Sequence, residues 1–210
     1  EFLDLKYLYV EYDSTVSYDP SFISSSDDLY SRIVKSIENY SRSSDINSFG
    51  GRLKYSKLLS QIDQVDRAIT SNITKLIMRR NMVPAYNALA NYELCYANQF
   101  HADLEGFNIR STGFTLDGVE GTVYLTDLPD PGGKTGVVQF FTLVDGVVKY
   151  INEDVGKIDY IKGEIIIYPV TITSTVLENR IEIEVTPESN DIIAKENLYI
   201  VLDTTGKSVL

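Results

Sequence analysis

The stretch from Gly51 to Met82, "GRLKYSKLLSQIDQVDRAITSNITKLIMRRNM", decides how the first half of the chain folds. Its first part has apolar side chains at the three- and four-residue spacing of an amphipathic helix. These side chains are Tyr55, Leu58, Leu59, Ile62, Val65 and Ile69. Its second part, "NITKLIMRR", has the composition of a strand. The stretch therefore predicts a helix that is followed directly by a strand.

The residues on either side of this stretch predict further strands and one more helix. Residues 5–19, "LKYLYVEYDSTVSYD", are rich in Tyr and Val and predict a long strand or a hairpin. A helix then begins after Ser25, a favourable N-cap residue, with acidic side chains in its first turn. The Tyr-rich end of residues 85–100 favours a strand. We therefore expect residues 1–102 to form an α+β domain with two amphipathic helices.

From residue 103 onward the pattern changes to strand-like runs separated by turn signals. Asp145-Gly146 lies between two apolar runs and is the strongest of the short hairpin signals. The segment "RIEIEV" alternates apolar and acidic residues, as a half-buried strand does. We expect residues 103–210 to form an antiparallel β domain, so the predicted fold class is α+β. The last strand, "LYIVLD", can either stay in this domain or return to the first one.

Composition limits the possible functions of this 210-residue chain, whose net charge is −11. Residues 1–100 carry 11 basic and 12 acidic side chains, whereas residues 101–210 carry 8 and 18. The excess of acidic side chains in the second half repels nucleic acid and anionic membranes. Neither is therefore an expected partner. The single cysteine, Cys95, rules out an intramolecular disulfide and fits a reducing compartment. The sequence lacks an initiator Met, so we expect a longer parent chain.

Candidate catalytic residues are few, and each has a simpler structural interpretation. Asp63 and Asp66 are three apart on the predicted second helix, where a solvated polar face is favoured over a catalytic or metal-binding carboxylate pair. The segment Asp130–Gly136, "DPGGKTG", contains Gly-Lys-Thr but lacks the first glycine of a phosphate-binding loop and precedes a strand. His101 has no second histidine for a zinc site, and the chain has no nucleophile elbow for a hydrolytic triad. We therefore expect no enzyme and no cofactor or metal, with a cell-wall hydrolase that uses Asp/Glu pairs as the weaker alternative.

Interface positions are the more promising candidates, because Tyr combines a large apolar body with a polar tip. Arg79 and Arg80 are adjacent on the predicted strand and so point to opposite faces, which favours ion pairs with acidic neighbours over one phosphate-binding patch. The candidate interface residues are Tyr7, Tyr9, Tyr12, Asp63, Asp66, Arg79 and Arg80.

The segment Phe49–Met82 also resembles the C-terminal portion of the baseplate wedge ring proteins of contractile-tailed phages, within the baseplate J-like family. The resemblance lies in the Phe49-Gly50 break, Arg52, Tyr55, Ser56, Ile62-Asp63, Ile69–Asn72 and a following strand that ends in Arg. The segments "VEYDSTVSYDP", "VGKIDYIKGEIIIYPVTI" and "TPESNDIIAKENLYIVLD" are similar as well.

The resemblance implies a structural subunit without catalytic residues. Such a protein dimerises, and its dimers close a ring around the tail tube that holds the baseplate together and helps transmit the contraction trigger. The implied partners are a second copy, other wedge subunits, and tail tube or sheath-initiating proteins. The implied location is the virion baseplate, after assembly in the host cytoplasm. A receptor- or glycan-binding tail module is the alternative, although the loops "LDGVEG" and "LPDPGGKTG" lack the aromatic residues on which glycans stack.

Overall fold

The computed structural model describes residues 6–195, 197–204 and 208–209. The chain forms two compact units, one made of residues 1–78 and 190–210 and the other of residues 79–189. The first unit is therefore built from both ends of the chain. The predicted domains 1–102 and 103–210 do not coincide with these units, and that division stays a prediction.

Two α-helices and a series of strands follow one another along the described residues, with a short 3₁₀ helix (Pro20–Phe22) after the first strand. In chain order they are β1 (Lys6–Tyr18), α1 (Ser26–Ser41), β2 (Arg52–Leu53), α2 (Tyr55–Asp63), β3 (Ile69–Met82), β4 (Leu89–Cys95), β5 (Ile109–Ser111), β6 (Phe114–Leu116), β7 (Val123–Pro129), β8 (Thr135–Val144), β9 (Val147–Asp159), β10 (Glu164–Thr175), β11 (Ile181–Val185), β12 (Ile192–Ile193), β13 (Leu198–Asp203) and β14 (Ser208–Val209).

The fold is mostly β, and the predicted α+β class is wrong. Strands account for 51% of the described residues and helices for 14%, and the strands include a closed five-stranded barrel. The error begins at the second helix, whose apolar pattern extends to Ile69 in the sequence but which ends at Asp63 in the structure. Val65 lies in the following turn and Ile69 begins β3. Over so few residues, periodicity alone does not separate a helix from a turn that leads into a strand.

In the first unit, β1 lies between β13 and β3. β13 runs parallel to β1, with Lys6 opposite Leu198 and Glu11 opposite Asp203, and β14 pairs with a later part of β1. The last strand predicted from the sequence, "LYIVLD", is β13. It returns to the first unit and lies beside β1. Helix α1 begins at the predicted N-cap, because Ser25 Oγ accepts a hydrogen bond from the Asp28 amide at 3.3 Å.

In the second unit, β10, β6, β7, β8 and β9 pair in that order, and β9 returns to pair with β10, which closes the barrel. Among the residues that fill its interior, Leu125, Phe140 and Ile165 are buried. β8 and β9 form the predicted hairpin, which is confirmed: Val144 pairs with Val147 across Asp145-Gly146. Both turn residues have positive φ values, 53° and 78°, as a two-residue hairpin turn requires.

Candidate functional site

Four aromatic side chains cluster on the first unit, and we call them the aromatic surface: Tyr7, Tyr9, Phe49 and Tyr199. The parallel pairing of β1 with β13 places Tyr7 opposite Tyr199, and their ring centroids are 6.1 Å apart. Phe49, in the loop after α1, packs edge-on against Tyr199 at 6.3 Å, and Tyr9 lies 6.4 Å from Tyr7. The cluster therefore joins both ends of the chain and the segment between α1 and α2.

The aromatic surface faces solvent because side chains alternate along β1. Leu8 and Val10 point into the core and are buried, whereas Tyr7 is 45% exposed. Phe49 is 66% exposed, more than any other phenylalanine among the described residues. Edge-on packing holds neighbouring rings in a fixed arrangement. A preorganised and exposed aromatic cluster is typical of a protein contact surface.

The three tyrosines predicted as interface residues have different positions. Tyr7 and Tyr9 belong to the aromatic surface. Tyr12 lies on the other side of β1 and is only 2% exposed, so it offers almost no area to a partner. Phe49 and Tyr199 are not recognisable as surface residues from the sequence, because neither their exposure nor the pairing of β13 with β1 has a local signal. The interface role of the predicted residues stays a prediction.

Asp63 and Asp66 do not form a carboxylate pair on one helix. Asp63 is the last residue of α2 and accepts a hydrogen bond from Asn72 Nδ2 at 2.5 Å. Asp66 lies beyond the helix, where it contacts Arg32 Nη2 at 2.6 Å and accepts a hydrogen bond from the Ala68 amide. The hydrogen bond from Arg32 lowers the pKa of Asp66. Both carboxylates therefore hold local structure.

Arg79 and Arg80 are 7% and 8% exposed. Arg79 Nη1 lies 2.9 Å from Glu182 Oε1, which agrees with the predicted ion pair to an acidic neighbour. Arg80 Nη1 donates a hydrogen bond to the Cys95 carbonyl at 2.6 Å. Buried guanidinium groups need such partners, and the two arginines leave little surface for a contact. Cys95 is half-buried and free.

The remaining candidates for chemistry also have structural roles. His101 Nδ1 lies 2.9 Å from Glu188 Oε2 at an exposed position. The Gly-Lys-Thr segment is a tight turn between β7 and β8, because the Gly133 amide donates to the Asp130 carbonyl at 2.8 Å. Within the described ranges, no three His, Cys, Asp or Glu side chains are grouped to hold a metal. No helix in the described part of the chain is long and apolar enough to cross a membrane.

Asp127, which is not among the residues predicted from the sequence, is a carboxylate in β7 that is only 1% exposed. It accepts hydrogen bonds from Asn108 Nδ2 at 2.7 Å, from the Ile109 amide at 2.8 Å and from the Tyr160 hydroxyl at 2.5 Å. Burial is the main cause that raises the pKa of Tyr160 above its usual range, and the hydrogen bond from its hydroxyl to Asp127 raises it further. An acid inside the apolar run "VYLTDLP" is the signal that could have found it. The network fixes the segment before β5, which contains Phe107.

Residues 6–81, a little over a third of the chain, match the family described as baseplate structural protein gp6, C-terminal domain III. The match supports a phage baseplate structural protein and places it in the baseplate of the virion. It includes three of the four residues of the aromatic surface and leaves out Tyr199. No curated protein matches the chain. Kinship with the wider baseplate J-like family is not tested by this match and stays a prediction.

Proposed function

We propose that the chain is a structural subunit of a phage baseplate wedge, and that the aromatic surface contacts a neighbouring baseplate subunit. The observation that carries this proposal is an exposed aromatic cluster, three of whose four residues lie in a segment similar to a baseplate structural domain. Phe49 leaves about two thirds of its side chain in water, and burial of a large apolar side chain is favourable by about 1.5–3 kcal/mol. A partner that covers this cluster recovers part of that free energy.

In the finer form of the proposal, two copies of the chain form a dimer and successive dimers close a ring around the tail tube. The ring holds the baseplate together and helps transmit the contraction trigger. Other wedge subunits, and tail tube or sheath-initiating proteins, are its further partners. The protein acts through contacts and not through catalysis, because the acids and arginines that could suggest chemistry are engaged in local ion pairs and hydrogen bonds.

The proposal is tested with a phage that carries Phe49→Ser in this protein. Loss of an aromatic anchor at an interface costs about 2 kcal/mol or more, or roughly a thirtyfold loss of affinity. We therefore expect the variant to be depleted from baseplates that are isolated by sedimentation from infected cells. Ile73→Ser is the matched control, because Ile73 is 67% exposed in the same unit and lies outside the cluster.

The two variants are compared as purified proteins by circular dichroism, so that a folding defect is recognised. If folded Phe49→Ser protein enters baseplates as well as the Ile73→Ser control does, the aromatic surface is not the contact. If both variants are depleted equally while both remain folded, the effect is not specific to the aromatic surface, and the proposed contact is again refuted.

A further inference from the structure

The hairpin formed by β8 and β9 extends beyond the barrel as a two-stranded arm. Pairing of β7 with β8 ends at Thr142, and pairing of β10 with β9 begins only at Gly156. Between these positions, all twelve residues from Leu143 to Asp154 are exposed. We call residues 143–154 the arm. An isolated two-stranded hairpin has little stability of its own in water, so an arm with large apolar side chains is expected to gain from a partner.

One side of the arm is apolar. Leu143 pairs with Val148, and Phe141 at its base pairs with Tyr150. Directly opposite residues share a face, and so do residues two apart on one strand. These four side chains therefore form a single strip, which we call the arm face. Leu143, Val148 and Tyr150 are 48%, 37% and 41% exposed.

The arm face continues onto the outside of the barrel through further aromatic rings. Tyr124 stacks on Phe141 with centroids 5.5 Å apart, and Phe107 packs edge-on against Phe141 at 5.8 Å. Phe107 is 40% exposed and has a φ of 58°. This left-handed backbone conformation is energetically unfavourable for any residue except glycine. The hydrogen bonds of Asp127 to the two residues after Phe107 hold it there. Strained backbone thus presents an aromatic ring to solvent at the edge of the arm face.

The area of this surface fits a stable contact between two copies. From the exposed fractions of its aliphatic and aromatic side chains, the arm face and its two flanking rings leave roughly 400 Å² of apolar area in water per copy. Two copies that cover each other bury roughly 800 Å², and because somewhat over half of an interface is apolar, the whole contact is about 1,400 Å². That value lies within the range of stable protein complexes.

Charge also favours a second copy as the occupant. The chain has a net charge of −11, so most of its surface repels another copy. The four side chains of the arm face are uncharged. Of the charged residues in the arm, Asp145 lies in the turn, Lys149 pairs with Thr142 on the other face, and Glu153 and Asp154 follow Tyr150 toward the barrel. The strip from Phe141 and Leu143 to Val148 and Tyr150 therefore brings no carboxylate of its own into a contact between two copies. A two-fold axis places the same uncharged strip on both sides of the contact.

We propose that the arm face is a two-fold contact between two copies of this chain, packed arm face against arm face. The proposal rests on the self-pairing that is part of the proposed function, and it assigns that pairing to the second unit. The aromatic surface of the first unit then remains available for other baseplate subunits.

The experiment is sedimentation equilibrium of the full chain and of two variants on opposite faces of the arm. Val148→Asp places two carboxylates in the proposed contact, and we expect a dimer dissociation constant at least thirtyfold higher than that of the unchanged chain. Val147→Asp is the matched control, since Val147 is more exposed, at 66%, but lies on the other face of the same hairpin. We expect it to change the dissociation constant less than threefold.

A second measurement traps the contact directly. In a Cys95→Ala background, a Leu143→Cys protein mixed with a Val148→Cys protein is expected to form a disulfide-linked dimer on mild oxidation. The same experiment with Val144→Cys and Val147→Cys is expected to give little. Circular dichroism of each variant shows whether it is folded.

A chain that stays monomeric at high concentration overturns the proposal, and so does a dimer that Val148→Asp leaves intact or that both variants weaken equally. These results are independent of the baseplate test with Phe49→Ser. If the arm contact is refuted but the Phe49→Ser protein is depleted from baseplates, the proposed function still stands. If the arm contact is supported but the Phe49→Ser protein enters baseplates normally, the chain pairs with itself and its aromatic surface has no role in assembly.

Discussion

Replacement of Asp127 by Ala tests whether one buried carboxylate organises the second unit. Its three hydrogen bonds come from Asn108 Nδ2, the Ile109 amide and the Tyr160 hydroxyl. Ile109 and Tyr160 are fully buried, so their donors cannot turn to bulk solvent after the substitution. A buried donor left without a partner costs about 1–3 kcal/mol. Two such donors give a loss of about 4 kcal/mol in the free energy of unfolding, close to half of the stability of a typical domain.

The assay is urea unfolding followed by far-ultraviolet circular dichroism, with the free energy taken from the linear dependence on urea concentration. Asp127→Asn keeps one acceptor oxygen but turns an amide N–H₂ group toward a donor, so we expect a loss of about 2 kcal/mol, between the unchanged chain and the alanine variant. Asp117→Ala is the control, because Asp117 is exposed. Its expected effect is within about 0.5 kcal/mol.

A loss below about 1 kcal/mol for Asp127→Ala would refute this reasoning, because it would mean that water or a rearranged neighbour replaces the carboxylate without strain. Hydrogen exchange gives a local check. If the network holds the segment before β5, the Ile109 amide exchanges faster in the alanine variant than in the unchanged chain under native conditions. Unchanged exchange at this amide would argue that the segment is fixed by other contacts.

Two further predictions concern barrel closure and acid stability. Gly156 lies where β9 meets β10, and a Cβ at this position would come within 2.1 Å of the Ile166 carbonyl oxygen. Gly156→Ala should therefore lower the urea midpoint by the equivalent of about 1–3 kcal/mol. Gly132→Ala is the control and should leave the midpoint unchanged, because a Cβ at Gly132 meets nothing within 4 Å. The hydrogen bond from Arg32 lowers the pKa of Asp66 in the folded state. The ionised Asp66 side chain therefore stabilises the fold fully above about pH 4, the pKa of aspartate in the unfolded chain. This stabilisation is lost as the pH falls through the folded-state pKa. Asp66→Asn should flatten the fall in urea midpoint on this acid side, and identical pH profiles for variant and unchanged chain would contradict the prediction.

Local signals in the sequence were sufficient for several individual elements. Ser25 is an N-cap residue followed by acids and by an apolar helical pattern, and α1 begins there. Asp145-Gly146 between two β-branched runs defines the β8–β9 hairpin. The alternation in "RIEIEV" places Ile181, Ile183 and Val185 in the core, where they are buried. In each case the cause acts within a few residues, so the sequence window contains it.

The fold class and the candidate site depend on contacts that no short window contains. The pairing of β1 with β13 joins residues that are almost the whole chain length apart, and a parallel pair has no connecting turn to announce it. Without that pairing, Tyr199 cannot be placed beside Tyr7. The burial of Asp127 is similar, since its donors come from segments on both sides of β7. The helical periodicity of the opening stretch overstates the length of α2, because two of its apolar positions, Val65 and Ile69, belong to a turn and to β3.

The first unit shows why the matched segment and the candidate contact are not the same piece of structure. The family match ends at residue 81, yet β13 and β14, which pair with β1, come from residues after 197. Without them, β1 would present unpaired backbone groups, which invite pairing with other chains. Tyr199, which joins Phe49 to Tyr7 in the aromatic surface, also comes from β13. The return of the chain end therefore pairs with β1 and completes the proposed contact in the same step, so the aromatic surface forms only when both ends of the chain are in place.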